Sequence, residues 1–173
     1  MGELIDIFND KGERTEKVVD RDTPDICFRP GERIAVAIIY IENDNNEFLI
    51  QKTSKKKGGI YSSTGGHVGH NEEPIETIKR EVKEEIGIDI SNDNIIDLGF
   101  LISDFPVRFI FYLKKNIDLN DVILQKDEVE SILYMSEDEL KQVIEKGLMH
   151  KAHAIVLNRV LDYRKNQSNK EII

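Results

Sequence analysis

"GGHVGHNEEPIETIKREVKEEIGI", residues 65–88, opens on paired glycines, carries six glutamates and stops at another glycine. Pro74 suits the first turn of a helix, where its missing N–H costs no hydrogen bond, and Gly87 suits the position just past the last turn. The pattern predicts a helix over 74–86. At about 100° per residue, Ile75, Ile78, Val82 and Ile86 form one apolar stripe, with Glu81, Glu84 and Glu85 clustered on the face beside it. Like charges three and four residues apart oppose helix formation, so this face calls for a counterion or for open solvent. A solvated acidic face is the plainer reading. The sharper one is a hard divalent cation, which takes carboxylate and carbonyl oxygens and shares phosphate oxygens. The acidic face adjoins the buried stripe and a glycine loop feeds it, both of which favour the cation. Arg80 and Glu72 offer an ion pair tying loop to helix, or else a loose surface pair worth little.

The rest of the chain bounds the answer. At 173 residues, 39% hydrophobic and 33% charged, it fits one globular domain with a proper core. A net charge of −9 argues against neutralising nucleic-acid phosphates or anionic lipids. The expected partner is a small molecule, with no nucleic acid and no membrane. "IAVAIIYI" (34–41) is too short to span a bilayer, and the charged start "MGELIDIFNDKGERTEK" is not secretory, which predicts a cytoplasmic location. Cys27 is the only cysteine, so an intramolecular disulfide is excluded and a passive thiol expected.

Around the opening segment the chain reads as mixed α/β. Residues 1–30 predict an edge hairpin, "IDIF" and "EKVV" flanking "NDKGERT". A strand over 33–41, rich in β-branched residues and apolar on both faces, pairs across "ENDNNE" with "FLIQK" (48–52). "TSKKKGGIYSSTGG" (53–66) has no periodicity and predicts a loop, with Lys55, Lys56 and Lys57 as solvated charges or phosphate contacts. Further strands are expected over 95–103, 107–115 and 129–135. Ser136 with Glu139 is a capping-box signature for a helix closed by Gly147, and 151–165 is an amphipathic helix presenting Val156, Leu157, Val160 and Leu161. The body of the domain is set at 31–166, with 167–173 a frayed, flexible tail.

Residues 66–88 also match in full the signature of the Nudix hydrolases, G-x5-E-x7-R-E-U-x-E-E-x-G-U with U a bulky aliphatic. It runs Gly66, Glu72, Arg80, Glu81, Val82, Glu84, Glu85, Gly87, Ile88. At about 7% background usage per fixed residue, chance gives this at about 10⁻⁸ per starting point. The resemblance spans roughly 30–165 and implies an α/β/α sandwich with a mixed sheet. It implies hydrolysis of the diphosphate (phosphoanhydride) bond within a nucleoside diphosphate linked to a further group, or within a related organic diphosphate. Glu81, Glu84, Glu85 and the Gly66 carbonyl would hold Mg²⁺ or Mn²⁺, while Arg80, Glu72 and Gly87 would support the geometry.

The family draws its general base from the signature or from a later segment; Glu81 is the expected base, with Glu128 or Glu130 of "KDEVES" as the competitor. Gln51, Lys52, Tyr61 and His67 are candidate substrate contacts. Phe105, Phe109 and Tyr112 are aromatics that could stack a base or simply fill the core; His70 is an expected loop residue, and His150 and His153 expected surface or core residues. The amino-terminal stretch resembles the isopentenyl-diphosphate isomerase branch, but Gly65 stands where that isomerase has its cysteine, and no histidine lies near the first core strand. A non-catalytic nucleotide sensor is the other alternative; the intact signature argues against it. Either a monomer or a homodimer is compatible with this resemblance.

Overall fold

The computed structural model describes residues 2–171. Two strands, β1 (Leu4–Phe8) and β2 (Arg14–Asp20), pair as the antiparallel hairpin expected at the start of the chain. The main sheet has seven strands. β3 (Ala35–Glu42) runs parallel to β8 (Val107–Lys114), and β8 runs antiparallel to β7 (Ile96–Ile102). On its other side β3 meets β6 (Thr64–His67) along its first half and β4 (Phe48–Thr53) at its far end. β4 in turn carries β5 (Tyr61–Ser62) and β9 (Val129–Met135). Parallel and antiparallel pairings together make the sheet mixed, as the sequence resemblance implied.

Two-sided burial of β3 explains the layers. Ala35, Ala37, Ile39 and Ile41 face a core completed by Ile78, Val82 and Ile86 of α1 (Pro74–Ile86). Ile38 and Tyr40 face the other core, against Leu140 of α2 (Glu137–Glu145) and Val156, Leu157, Val160 and Leu161 of α3 (Lys151–Glu171). Alternation on a strand with both faces covered gives the α/β/α sandwich. The three isoleucine and valine side chains of α1 are fully buried, each worth about 1.5–3 kcal/mol. Ile75 is only partly buried against the same core.

Most terminators behave as the sequence requires. Pro74 opens α1, and Gly87 caps it at φ +74°, its N–H donating to the Lys83 carbonyl. Ser136 and Glu139 form a complete capping box. Two expectations need correction. The segment 53–66 is not all loop, since Lys55–Lys57 makes a 3₁₀ turn and β5 and β6 follow. β6 carries no apolar alternation because its glycines allow the backbone to close on β3: a Cβ at Gly65 would lie 2.5 Å from the Ala37 carbonyl oxygen. Helix α3 also continues to Glu171, past the expected start of the tail, because no Gly or Pro interrupts it. Ile172 and Ile173 lie outside the described residues.

Candidate active site

Everything at the candidate site hangs on the join between β6 and α1. Gly66 pairs with Ala37 in the sheet, and the Glu81 carboxylate lies directly over it; a Cβ there would stand 2.0 Å from Glu81 Oε1. A larger residue there would push the Glu81 carboxylate away. The turn that connects the two elements is clamped by Glu72, which accepts from the Gly69 N–H at 3.0 Å, the Thr77 hydroxyl at 2.8 Å, and Arg80 Nε and Nη2 at 2.8 and 3.1 Å. Arg80 also donates from Nη2 to the His67 carbonyl and from Nη1 to Glu81 (2.8 Å) and Glu84 (3.1 Å). The Arg80–Glu72 pair is thus a part-buried clamp between loop and helix, the stronger of the two readings.

A cavity of about 330 Å³ opens beside this clamp, lined by Gly66, His67, Glu81, Glu84, Glu85 and Glu128, with Arg21, Lys57, Glu3 and Gln125 at its margins. Two adjoining chambers, of about 170 and 270 Å³, share Gly65 and Lys57 with it. They continue past Gln51 and Ser63 to His150 and His153. A larger concavity of about 760 Å³ lies elsewhere, beside Asn46, Ser136 and Ser168. Two of its charged residues are tied into the fold: Arg164 pairs with the fully buried Glu42 at 2.9 Å and with Glu137.

Residues 31–160 match the NUDIX domain. The chain belongs to the Nudix hydrolase family. That makes it a pyrophosphohydrolase. It is 30% identical over 152 residues to an uncharacterized Nudix hydrolase of Listeria monocytogenes, covering 82% of this chain and 85% of that one. An 8-oxo-dGTP diphosphatase of Proteus vulgaris is 37% identical over 78 residues, 44% of this chain and 67% of that protein. Among solved structures, the DR0079 protein of Deinococcus radiodurans superposes with a TM-score of 0.77 at 18% identity, over 91% of this chain and 98% of that one, a likeness of fold alone.

In this Nudix hydrolase burial and neighbouring charges set the protonation of the site carboxylates. Burial pushes the Glu85 carboxyl up to about 8; Glu81, Glu128 and Glu84 push the same way, against a 2.9 Å hydrogen bond from Gln51 Nε2. Burial raises Glu81 as well, and Arg80 opposes it. Burial also works to raise Glu72, but the donors from Arg80, Gly69 and Thr77 outweigh it and hold that carboxyl below its ordinary value. Among the described residues no three His, Cys, Asp or Glu side chains close into a ready cation cage. Arg80 instead engages Glu81 and Glu84. The donor set fits a hard divalent cation all the same, being carboxylate oxygens over a backbone that only glycine could supply. Glu84, half-exposed, is able to turn from Arg80.

Other expected contacts divide cleanly. His67 and Gln51 line the cleft, and Glu128 lines both the main cavity and one chamber. Glu130, Lys52 and Tyr61 do not. Glu130 and Lys52 face each other at 3.5 Å outside the cleft: alternation along β4 turns Lys52 away from the side of Gln51, and Glu130 sits at a register shift in the β4–β9 pairing. Tyr61 packs on the α2–α3 core. Phe109 packs edge-on against Phe8 and tilted against Phe100, Phe105 edge-on against Phe28, and Tyr112 donates to Glu42, so these aromatics are engaged within the fold. His70 Nδ1 donates to the Asp6 carboxylate, 2.7 Å away. Missed altogether were Glu3 and Arg21, brought in by the hairpin, and the clustering of His150 and His153 with Ser63. His153 Nδ1 lies 2.8 Å from Ser63 Oγ, and burial pushes its pKa down to about 3. No local sequence pattern announces these, since each reaches the cleft only through tertiary packing.

Proposed function

We propose that this enzyme hydrolyses the diphosphate bond of a nucleoside diphosphate joined to a further group, with Mg²⁺ or Mn²⁺ held by Glu81, Glu84 and Glu85 and the Gly66 backbone. The convergence of those three carboxylates with Gly66, Lys57 and Glu128 on one cavity carries this reading. A divalent cation there would neutralise the diphosphate and acidify a water molecule. The chain's own contribution is positional. Arg80 and Glu72 hold the β6–α1 join rigid, so the carboxylates keep their spacing, and Lys57 at the cleft margin adds positive charge for the phosphates.

Glu128 is the general base in this account. It is the later glutamate that lines the cleft, whereas Glu130 is paired with Lys52 outside it and Glu81 is committed to Arg80 and the cation. Glu128 takes the proton of the attacking water; the water oxygen bonds to phosphorus, the bridging P–O bond breaks, and its electron pair leaves with the departing phosphate.

The smaller of the two chambers beyond Lys57 supports a nucleoside over an isoprenoid as the non-phosphate half, while the larger is lined in part by Val36, Ile38 and Ala152. Gln51, Thr53, Ser63, His150 and His153 are polar, and burial keeps His153 neutral at pH 7. Gln51 Oε1 is buried without a donor, an unsatisfied acceptor that a ligand N–H or O–H would relieve. An alkyl chain would leave it orphaned. No cysteine lines the cleft, which removes the thiol that an isomerase reading needs. The test is turnover of ADP-ribose, diadenosine polyphosphates, nucleoside triphosphates and isopentenyl diphosphate, with Mg²⁺ and with EDTA. Metal-dependent release of a nucleoside monophosphate is expected. Turnover of isopentenyl diphosphate alone, or activity indifferent to EDTA, would overturn the reading.

A further inference from the structure

We infer that Arg21, carried by the amino-terminal hairpin, is a phosphate-binding residue of this active site, held in reserve by Glu3 until the substrate diphosphate displaces that carboxylate. The inference rests on the diphosphate reading above. Arg21 follows β2, outside the residues that match the NUDIX domain, and nevertheless lines the cavity with Glu81, Glu84 and Glu85. Its Nη1 lies 2.6 Å from Glu3 Oε2 and 3.4 Å from His67 Nδ1. The hairpin therefore reaches across the mouth of the cleft and places a guanidinium next to the strand that carries Gly66.

Structural duty does not account for the pair. Arg21 and Glu3 side chains are 41% and 43% exposed, and exposed ion pairs contribute little to stability. The hairpin is anchored elsewhere. Asp6, 2% exposed, takes Arg14 Nε at 2.9 Å, His70 at 2.7 Å and the Asn71 N–H at 2.8 Å, while Arg14 also reaches Glu73 and the Glu72 carbonyl. The backbone N–H of Arg21 donates to the Glu3 carbonyl whatever the side chain does.

The charge inventory points the same way. Five carboxylates line the main cavity, those of Glu3, Glu81, Glu84, Glu85 and Glu128, against three cations, Arg21, Lys57 and Arg80. Arg80 has its donors committed to Glu72, Glu81, Glu84 and the His67 carbonyl. Arg21 and Lys57 remain, each matched by one carboxylate, Glu3 and Glu128. A phosphate carries more charge than Glu3 and accepts the guanidinium fork through two oxygens, so it wins the exchange once it enters. Glu3 then acts as a placeholder that orients Arg21 and lowers affinity for weaker anions.

The two partners should move binding in opposite directions, which a structural pair cannot do. The probe is methylenediphosphonate, a non-hydrolysable diphosphate, titrated with Mg²⁺ into the full chain by calorimetry. Arg21→Gln is expected to weaken binding about tenfold, Arg21→Lys to restore part of the loss, and Glu3→Gln to tighten binding two- to fivefold. Weakening by both Arg21→Gln and Glu3→Gln, or no change in either while the wild type binds, overturns the role given to Arg21 and leaves the diphosphate reading standing. A wild type that fails to bind the probe overturns both.

Discussion

Replacing Gly66 with alanine separates the site from the fold. The added Cβ would stand 2.0 Å from Glu81 Oε1 and 2.3 Å from its Cδ. Carbon and carboxylate oxygen do not approach much below about 3.2 Å, so the Glu81 carboxylate must retreat by about 1 Å, which it can do because it is the end of a flexible side chain. Misplacing a catalytic group by about 1 Å costs about 100-fold in rate. Stability should barely suffer, because Gly66 does not occupy the left-handed region and alanine there removes freedom from the unfolded chain, a gain of about 0.4–1 kcal/mol against the local strain. The control is Gly65→Ala, whose Cβ would meet the Ala37 backbone carbonyl at 2.5 Å. Backbone in the middle of the sheet cannot step aside, so that variant should lose several degrees of melting temperature. The assay is kcat on the nucleoside diphosphate derivative identified by the turnover panel, beside thermal unfolding followed by circular dichroism. Gly66→Ala with kcat within about threefold of wild type, or with a melting loss equal to that of Gly65→Ala, would refute the claim that this glycine exists to seat Glu81.

Other perturbations follow from the same geometry. Glu85→Gln keeps the Gln51 contact and relieves a crowded, buried carboxylate, so it should fold at least as stably as wild type yet lose about 10²–10³-fold in kcat, read from steady-state kinetics. Glu128→Gln should lower kcat by about 10²–10⁴-fold, the usual range for a general base, while Glu130→Gln on the outer face changes it by less than about twofold; the reverse ranking would move the base to Glu130. Acid sensitivity should come in part from His153. Burial depresses its folded pKa to about 3, so below the unfolded value of about 6.5 the unfolded chain binds a proton that the folded chain refuses. Stability is complete above about pH 6.5 and falls as pH drops toward 3, by up to about 1.4 kcal/mol per pH unit. His153→Asn should flatten that part of the profile in urea unfolding measured from pH 7 to 4; an unchanged slope would show that His153 already titrates normally.

The reasons some parts were legible in the sequence and others were not are physical. Helix α1 announced itself because Pro74, Gly87 and a four-residue apolar stripe are all local, and its limits coincide with those read from the pattern. β3 was legible because β-branched residues fill both faces, and α2 because its capping box is contained within four residues. β6 was hidden because its glycines serve a close backbone approach that leaves no hydrophobic period. At the site, the contact of Glu72 with Arg80 was legible because both lie on one short segment. Arg21 and Glu3 were invisible for the opposite reason: forty-six residues separate Arg21 from the His67 it faces, and only the anchoring of the hairpin by Asp6 and Arg14 brings them together. Glu128 and Glu130 looked equivalent in "KDEVES", but Glu128 lies in the turn before β9 and lines the cleft, whereas Glu130, at a register shift in the β4–β9 pairing, faces Lys52 outside it.

The central claim is that Glu81, Glu84 and Glu85 hold a divalent cation against the Gly66 backbone. Its most direct test is Mn²⁺ binding followed by electron paramagnetic resonance in the wild type and in Glu84→Gln and Glu85→Gln, with no substrate present. The account predicts saturable Mn²⁺ binding in the wild type, displaced by Mg²⁺ and weakened at least tenfold in each variant. Equal Mn²⁺ affinity in all three proteins would contradict it.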